Sequence, residues 1–288
     1  MASPLYPPSR AQSVGEILDL GLRIFGATLL RCLGYSAAAM VVGQLASIYA
    51  LVRHHGPMDP LLVRDPRWWL LLLVSLVGAI ILTSALIVRQ YELASGRSLA
   101  SGGPLAVGVR RAGGMLLMLL VASLAGAACV VPLAVAAGIV AALAYPGASP
   151  AVIGAGVMIL AIFPASWLLV RWMCAGWVYL LTERGAIDSL RHSWHLTRGS
   201  FWRLTTILTV AVVLALVMYL LSFMLTGIAT MLVGYRDVAV VTAAGTVVLI
   251  LLRVIISPFY TALVLAAYGD LTVRREGADL AQRIAAAG

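Results

Sequence analysis

Six apolar runs, at about 34–52, 68–90, 114–144, 151–181, 202–233 and 239–268, contain no aspartate or glutamate between them. A helix crossing the roughly 30 Å hydrocarbon core of a bilayer needs about 20 apolar residues. Nothing between the runs is long enough for a soluble core. Composition agrees: 62% of the 288 residues are hydrophobic and 11% are charged, against roughly 25% charged in a soluble domain. The expected fold is all-α, a polytopic membrane protein with six transmembrane helices in a single integral membrane domain over 1–288. The third, fourth and sixth runs are longer than a bilayer requires, which predicts tilted or kinked helices. Pro132, Pro164 and Pro258 are the candidate kinks, since each removes a backbone donor.

The chain carries a net charge of +9, and all 20 basic residues are arginine. In a soluble chain such a balance would suggest nucleic acid. Here the positive-inside rule accounts for it, and no nucleic-acid partner is expected. With the N-terminus inside, Arg10, Arg23, Arg31, Arg89, Arg97, Arg110, Arg111, Arg184, Arg191, Arg198, Arg203, Arg274, Arg275 and Arg283 face the cytoplasm; only Arg53, Arg64, Arg67 and Arg236 face outward. That asymmetry places both termini in the cytoplasm. The first dozen residues hold three prolines and no apolar stretch, so no cleavable signal is expected. Cys32, Cys129 and Cys174 read as small packing residues.

Three polar islands resemble one another: LDLGLRIF-G from Leu18 to Gly26, LAVGVRRA-G from Leu105 to Gly113, and LRHSWHLTRG from Leu190 to Gly199. Each precedes a pair of apolar runs. The pattern predicts three repeats (13–90, 98–181, 185–268) of an interfacial amphipathic helix followed by a transmembrane hairpin, with a tail over 269–288. Ser13 and Glu16 have capping-box spacing, and Asp19 and Arg23 stand four apart as an ion pair would. In the third island Ile187, Leu190, Trp194, Thr197, Phe201 and Leu204 form one apolar stripe, with Asp188, Arg191, His192, His195 and Arg198 opposite. Gly43 with Ser47, Ala122 with Gly126, and Ala134 with Gly138 have the spacing that lets helix backbones approach closely.

Arg171 lies eleven residues before Thr182 and Arg253 fifteen before Tyr268, or about 16 and 22 Å into their runs. A charge at such depth costs about 3 kcal/mol or more unless solvated or paired. With no carboxylate in any run, the remaining partners are carbonyls, water or an anionic headgroup; snorkelling to an interface is the simpler alternative. Absence of intramembrane Asp, Glu and His argues against a proton-coupled pump. His192 and His195 could share a metal, but nothing nearby completes a site, so no metal and no cofactor is expected. Asp59, Asp65 and His54–His55 look like a solvated outer turn. No nucleophile-elbow, zincin or phosphate-loop motif occurs.

DSLRHSWHLTRGSFWRL (188–204), YGDLTVRREGADL (268–280) and SVGEILD (13–19) resemble motifs of the glycerophosphoryl diester phosphodiesterase membrane domain and of related uncharacterised six-helix bacterial membrane proteins. The resemblance implies location and architecture more than mechanism. In the named members hydrolysis belongs to a separate soluble barrel, and this chain is similar to the membrane part alone.

Three functions compete. The first is a non-enzymatic module that organises an envelope-associated assembly in the bacterial inner membrane. Its contacts to lipid headgroups or to another membrane or cytoplasmic protein would run through Arg191, Trp194, Arg198, Tyr268, Asp270, Arg274 and Arg275. The second is a transporter or binder of an anionic lipid or small amphiphile, with Arg171 and Arg253 as headgroup ligands lining a pocket between the fourth and sixth spans. The third, a membrane-embedded enzyme, would need a carboxylate or histidine converging on those arginines. A homo-oligomer is compatible with the pattern but not indicated by it.

Overall fold

A computed structural model describes residues 5–54, 61–99, 102–145, 147, 149–233 and 238–277. His55, Asp59, Arg236, Asp279, Leu280 and Arg283 lie outside the described residues. Among those described, the chain is helical and has no strand. Its helices are α1 (Val14–Gly43), α2 (Leu45–His54), α3 (Pro66–Ser95), α4 (Gly103–Ala144), α5 (Pro150–Trp172), α6 (Ala175–Leu181), α7 (Ala186–Thr197), α8 (Phe201–Val233) and α9 (Val238–Glu276). Six stretches are long and apolar enough to cross a membrane: Val14–Arg53, Pro66–Ser95, Gly103–Ala144, Ala151–Leu181, Phe201–Leu225 and Val247–Glu276. The chain is thus an all-helical, multi-pass membrane protein by length and composition of its helices.

The islands do not behave alike. The first belongs to α1 and the second to α4, and both helices run on unbroken into the apolar sequence that follows. Only the third forms a helix of its own, α7. Local chemistry explains the start of α1: Glu16 N–H donates to Ser13 Oγ, Ser13 N–H donates to Glu16 Oε2, and Arg23 pairs with Asp19 at 2.6 Å, as their spacing predicts. At the other end of the hairpin, Gly96 closes α3 with φ +68°, a left-handed conformation that glycine adopts without strain.

The chain divides into two compact units, one of residues 1–112 and 206–288, the other of 113–205. In the first, α1 packs along both α3 and α9. Ile17, Ile24, Leu86, Val88, Leu263 and Leu265 fill this three-helix core. Backbones come close enough that a Cβ on Gly108 would stand 2.5 Å from Ile81 O. Gly43 sits in ordinary contact with Ala79, whereas Gly126 faces open space, so among the small-residue pairs only some serve close packing.

Each interruption of a helix in this unit is met by a side chain from another helix. Pro258 has no N–H, so Val254 O has no helical donor; Ser36 Oγ on α1 donates to it at 2.8 Å. Gln90, fully buried on α3, donates from Nε2 to Pro258 O at 2.9 Å and to Thr28 Oγ1 at 3.1 Å. Where the first apolar run is interrupted at Gln44, between α1 and α2, Ala46 N–H donates to Ser75 Oγ. A buried unpaired backbone group costs about 1–3 kcal/mol in water-soluble proteins, and no water in the hydrocarbon core relieves it.

The N-terminal segment straps this unit together. Leu5 and Tyr6 N–H both donate to Ala94 O at the end of α3, and Tyr6 packs edge-on against Tyr91. Gln12 N–H donates to Asp270 Oδ1 at 2.7 Å, while Arg274 bridges Asp270 and Gln12 O.

Candidate functional site

In the second unit, α5 packs against α7. Helix α5 has 23 residues, about 34 Å at 1.5 Å per residue, so it is long enough to cross a bilayer core by itself. The apolar run does not continue as one rod: it breaks at Met173–Cys174, and α6 begins at Ala175. Arg171 therefore sits in the last turn of α5, within the apolar stretch Ala151–Leu181.

The break leaves Arg171 O facing α7. Ser193 Oγ donates to it at 2.8 Å, and Thr197 Oγ1, which donates to Ser193 O at 2.9 Å, stands 3.3 Å from it. This contact sets the rotation of α7. Its buried face is Ala186, Ser189, Leu190, Ser193, Leu196 and Thr197, while Ile187 is 49% exposed and Trp194 only half-buried. The expected stripe of Ile187, Leu190, Trp194 and Thr197 is thus rotated. Small hydroxyl side chains take the close contact because the α5 end offers a carbonyl to bond, and the bulk of Trp194 is turned outward over Arg171.

The Arg171 guanidinium lies against two rings, with Cζ 5.4 Å from the Trp167 centroid and 5.3 Å from that of Trp194. The rings themselves meet edge to face at 5.0 Å. These faces, and the negative end of the α5 dipole, favour the charge without any carboxylate. Nε and Nη1 of Arg171 are buried and have no hydrogen-bond partner. Trp167 stands one turn before Arg171, so half of this arrangement was legible as spacing; the partnership with Trp194 was not.

Beside this cluster, Val121, Trp172, Ile187, Leu190, Arg191, Trp194, His195 and Arg198 line an open cavity of about 530 Å³. Arg191, His195 and Arg198 are exposed, and none of the described lining residues is a carboxylate. The site combines aromatic walls, apolar floor and positive charge. Such a surface favours an anion joined to an apolar body.

The other expected residues lie in the first unit. Arg253 donates from Nε and Nη2 to Tyr219 OH at 3.2 and 2.8 Å and stands 5.8 Å from that ring's centroid. The space beside it is about 10 Å³, too small for a ligand. Tyr268 and Asp270 are buried, at 6% and 1% exposure, within the chain's own fold; Arg274 and Arg275 remain exposed. Of the expected set, then, Arg171, Arg191, Trp194 and Arg198 gather around one site. Trp167, Trp172, His195, Ser193 and Thr197 join them, and sequence reasoning had not assigned these five to it. No family model, no curated protein and no solved structure matches the chain.

Proposed function

We propose that this protein is a non-enzymatic integral membrane module that binds an anionic amphiphile at the corner formed by α4, α5 and α7. The observation that supports the reading is the cavity itself, with Arg191, His195 and Arg198 on its rim, Trp172 and Trp194 in its wall and no carboxylate among its described lining residues. Tryptophan and arginine at the end of a membrane-length helix mark the headgroup level, where the abundant anions are lipids. A set of cations and rings without a carboxylate, a nucleophile or a metal-ligand cluster suits holding such a molecule rather than converting it.

The same reading keeps the chain in the bacterial cytoplasmic membrane, with both termini and the α7 site on the cytoplasmic side, and counts it with the glycerophosphoryl diester phosphodiesterase membrane domains on the motifs at 188–204 and 268–280. A role in organising an envelope assembly follows if the bound lipid or the exposed Arg274 and Arg275 recruit a second protein.

Native mass spectrometry of the full chain released from mild detergent tests the proposal. Retention of anionic lipid by the wild type, lost in Arg191→Ala but kept in Arg253→Ala, is the expected result. Equal retention of anionic and zwitterionic lipid by the wild type would remove the reading.

A further inference from the structure

The lining of the cavity is ordered along α7. Ile187, Leu190, Arg191, Trp194, His195 and Arg198 all line it, and their spacing puts them on one side of the helix over three turns. The cavity therefore runs beside α7 as a groove about 16 Å long at 1.5 Å per residue. Polarity changes along that length. Ile187 and Leu190, with Val121 of α4, make one end apolar, and Trp172 and Trp194 wall the groove. Charge begins at Arg191. Arg198 already has a partner within the protein, so the exposed Arg191 guanidinium and His195 imidazole are the groups that meet a ligand. A guanidinium fork suits a carboxylate and a phosphate alike, so these groups select an anionic head of either kind. The volume says more about the body behind that head. The cavity measures about 530 Å³. At about 30 Å³ for each water-sized group it seats roughly 18 non-hydrogen atoms, against about fifty in a phospholipid with two long chains.

Resting on the anionic-amphiphile reading, we infer that the groove along α7 takes a single-chain anionic amphiphile, a fatty acid or a lysophospholipid, in preference to a two-chain lipid. The anionic head meets Arg191 and His195. The chain lies beside Trp194 and Leu190 and leaves past Ile187. The second chain of a diacyl lipid finds no room beside the first.

The test uses the full chain in amphipol, titrated with straight-chain carboxylates from hexanoate to palmitate, with oleoyl lysophosphatidylglycerol and with dioleoyl phosphatidylglycerol. In the wild type, carboxylate affinity rises about fourfold per added methylene. It flattens beyond about ten carbons, which span the roughly 12 Å from His195 to Ile187. The lysolipid binds at least about fivefold tighter than the two-chain lipid with the same head. Ile187→Trp fills the apolar end and moves the plateau to shorter chains, whereas Arg191→Gln weakens every anion without moving it. Both side chains are exposed, so unchanged thermal unfolding separates altered recognition from lost structure, and the wild-type comparisons need no variant. The tighter of myristate and the lysolipid names the source of the head, and either result supports the inference. Equal affinity for the lysolipid and the two-chain lipid overturns it while leaving the broader function standing, as does a plateau that Ile187→Trp leaves in place. Failure of every anion to bind removes the broader function as well.

Discussion

Ser36 on α1 donates its hydroxyl to Val254 O on α9 at 2.8 Å, and Val254 is the residue that Pro258 deprives of its helical donor. A residue 218 positions away in the chain thus completes the backbone beside a proline inside a membrane-length helix. Ser36→Ala is expected to destabilise the protein by about 1–2 kcal/mol. In a Pro258→Ala background, where the substituted residue supplies the missing N–H, the same change should have little effect. A double-mutant cycle from denaturant or thermal unfolding in detergent measures the coupling; additive effects would show that the hydroxyl does not serve the proline break.

Ser193 and Thr197 serve the α5 end in the same way, and here the consequence reaches the cavity. Ser193→Ala with Thr197→Val removes both hydroxyls that face Arg171 O. The expected outcome is faster amide hydrogen exchange through Ala186–Thr197 and weaker retention of anionic lipid, with exchange in α1 and α9 unchanged. Unaltered protection of α7 would show that apolar packing alone holds it.

Asp270, 1% exposed, joins Gln12 N–H and Arg274. Asp270→Ala leaves Gln12 N–H and the Arg274 guanidinium without this acceptor and should release the strap over residues 5–12. Limited proteolysis is expected to cut that segment at least several-fold faster in the variant than in the wild type. Equal cleavage of wild type and Asp270→Ala would contradict the strap's dependence on this carboxylate.

At Gly108 a methyl group would meet Ile81 O at 2.5 Å, a backbone atom that cannot swing aside. Alanine favours a helix over glycine by about 1 kcal/mol, but overpacking typically costs about 1–3 kcal/mol. Gly108→Ala is therefore expected to lower the unfolding temperature, and Gly126→Ala, facing open space, to leave it the same or raise it.

What the sequence alone determined is what local chemistry and solvent dictate. Long apolar runs without carboxylates must be helices in lipid, Ser13 with Glu16 must start one, and Pro258 must orphan a carbonyl four residues earlier. Those consequences act within one or two helical turns and need no knowledge of neighbours. Tertiary structure decided the rest. It chose Ser36 as the donor to Val254 O, broke the fourth apolar run at Met173–Cys174, and brought Arg171 to the end of a helix between Trp167 and Trp194. It also rotated α7 so that serines rather than Trp194 are buried. The physical reason is that an apolar periodicity marks which residues avoid water, and in this chain nearly every face does. The long helices lack a polar face to orient them, so their rotation is settled by which hydroxyl reaches which unpaired carbonyl, and that depends on helices far apart in sequence; α7, which has a charged face, is set instead by the Ser193 contact with Arg171 O.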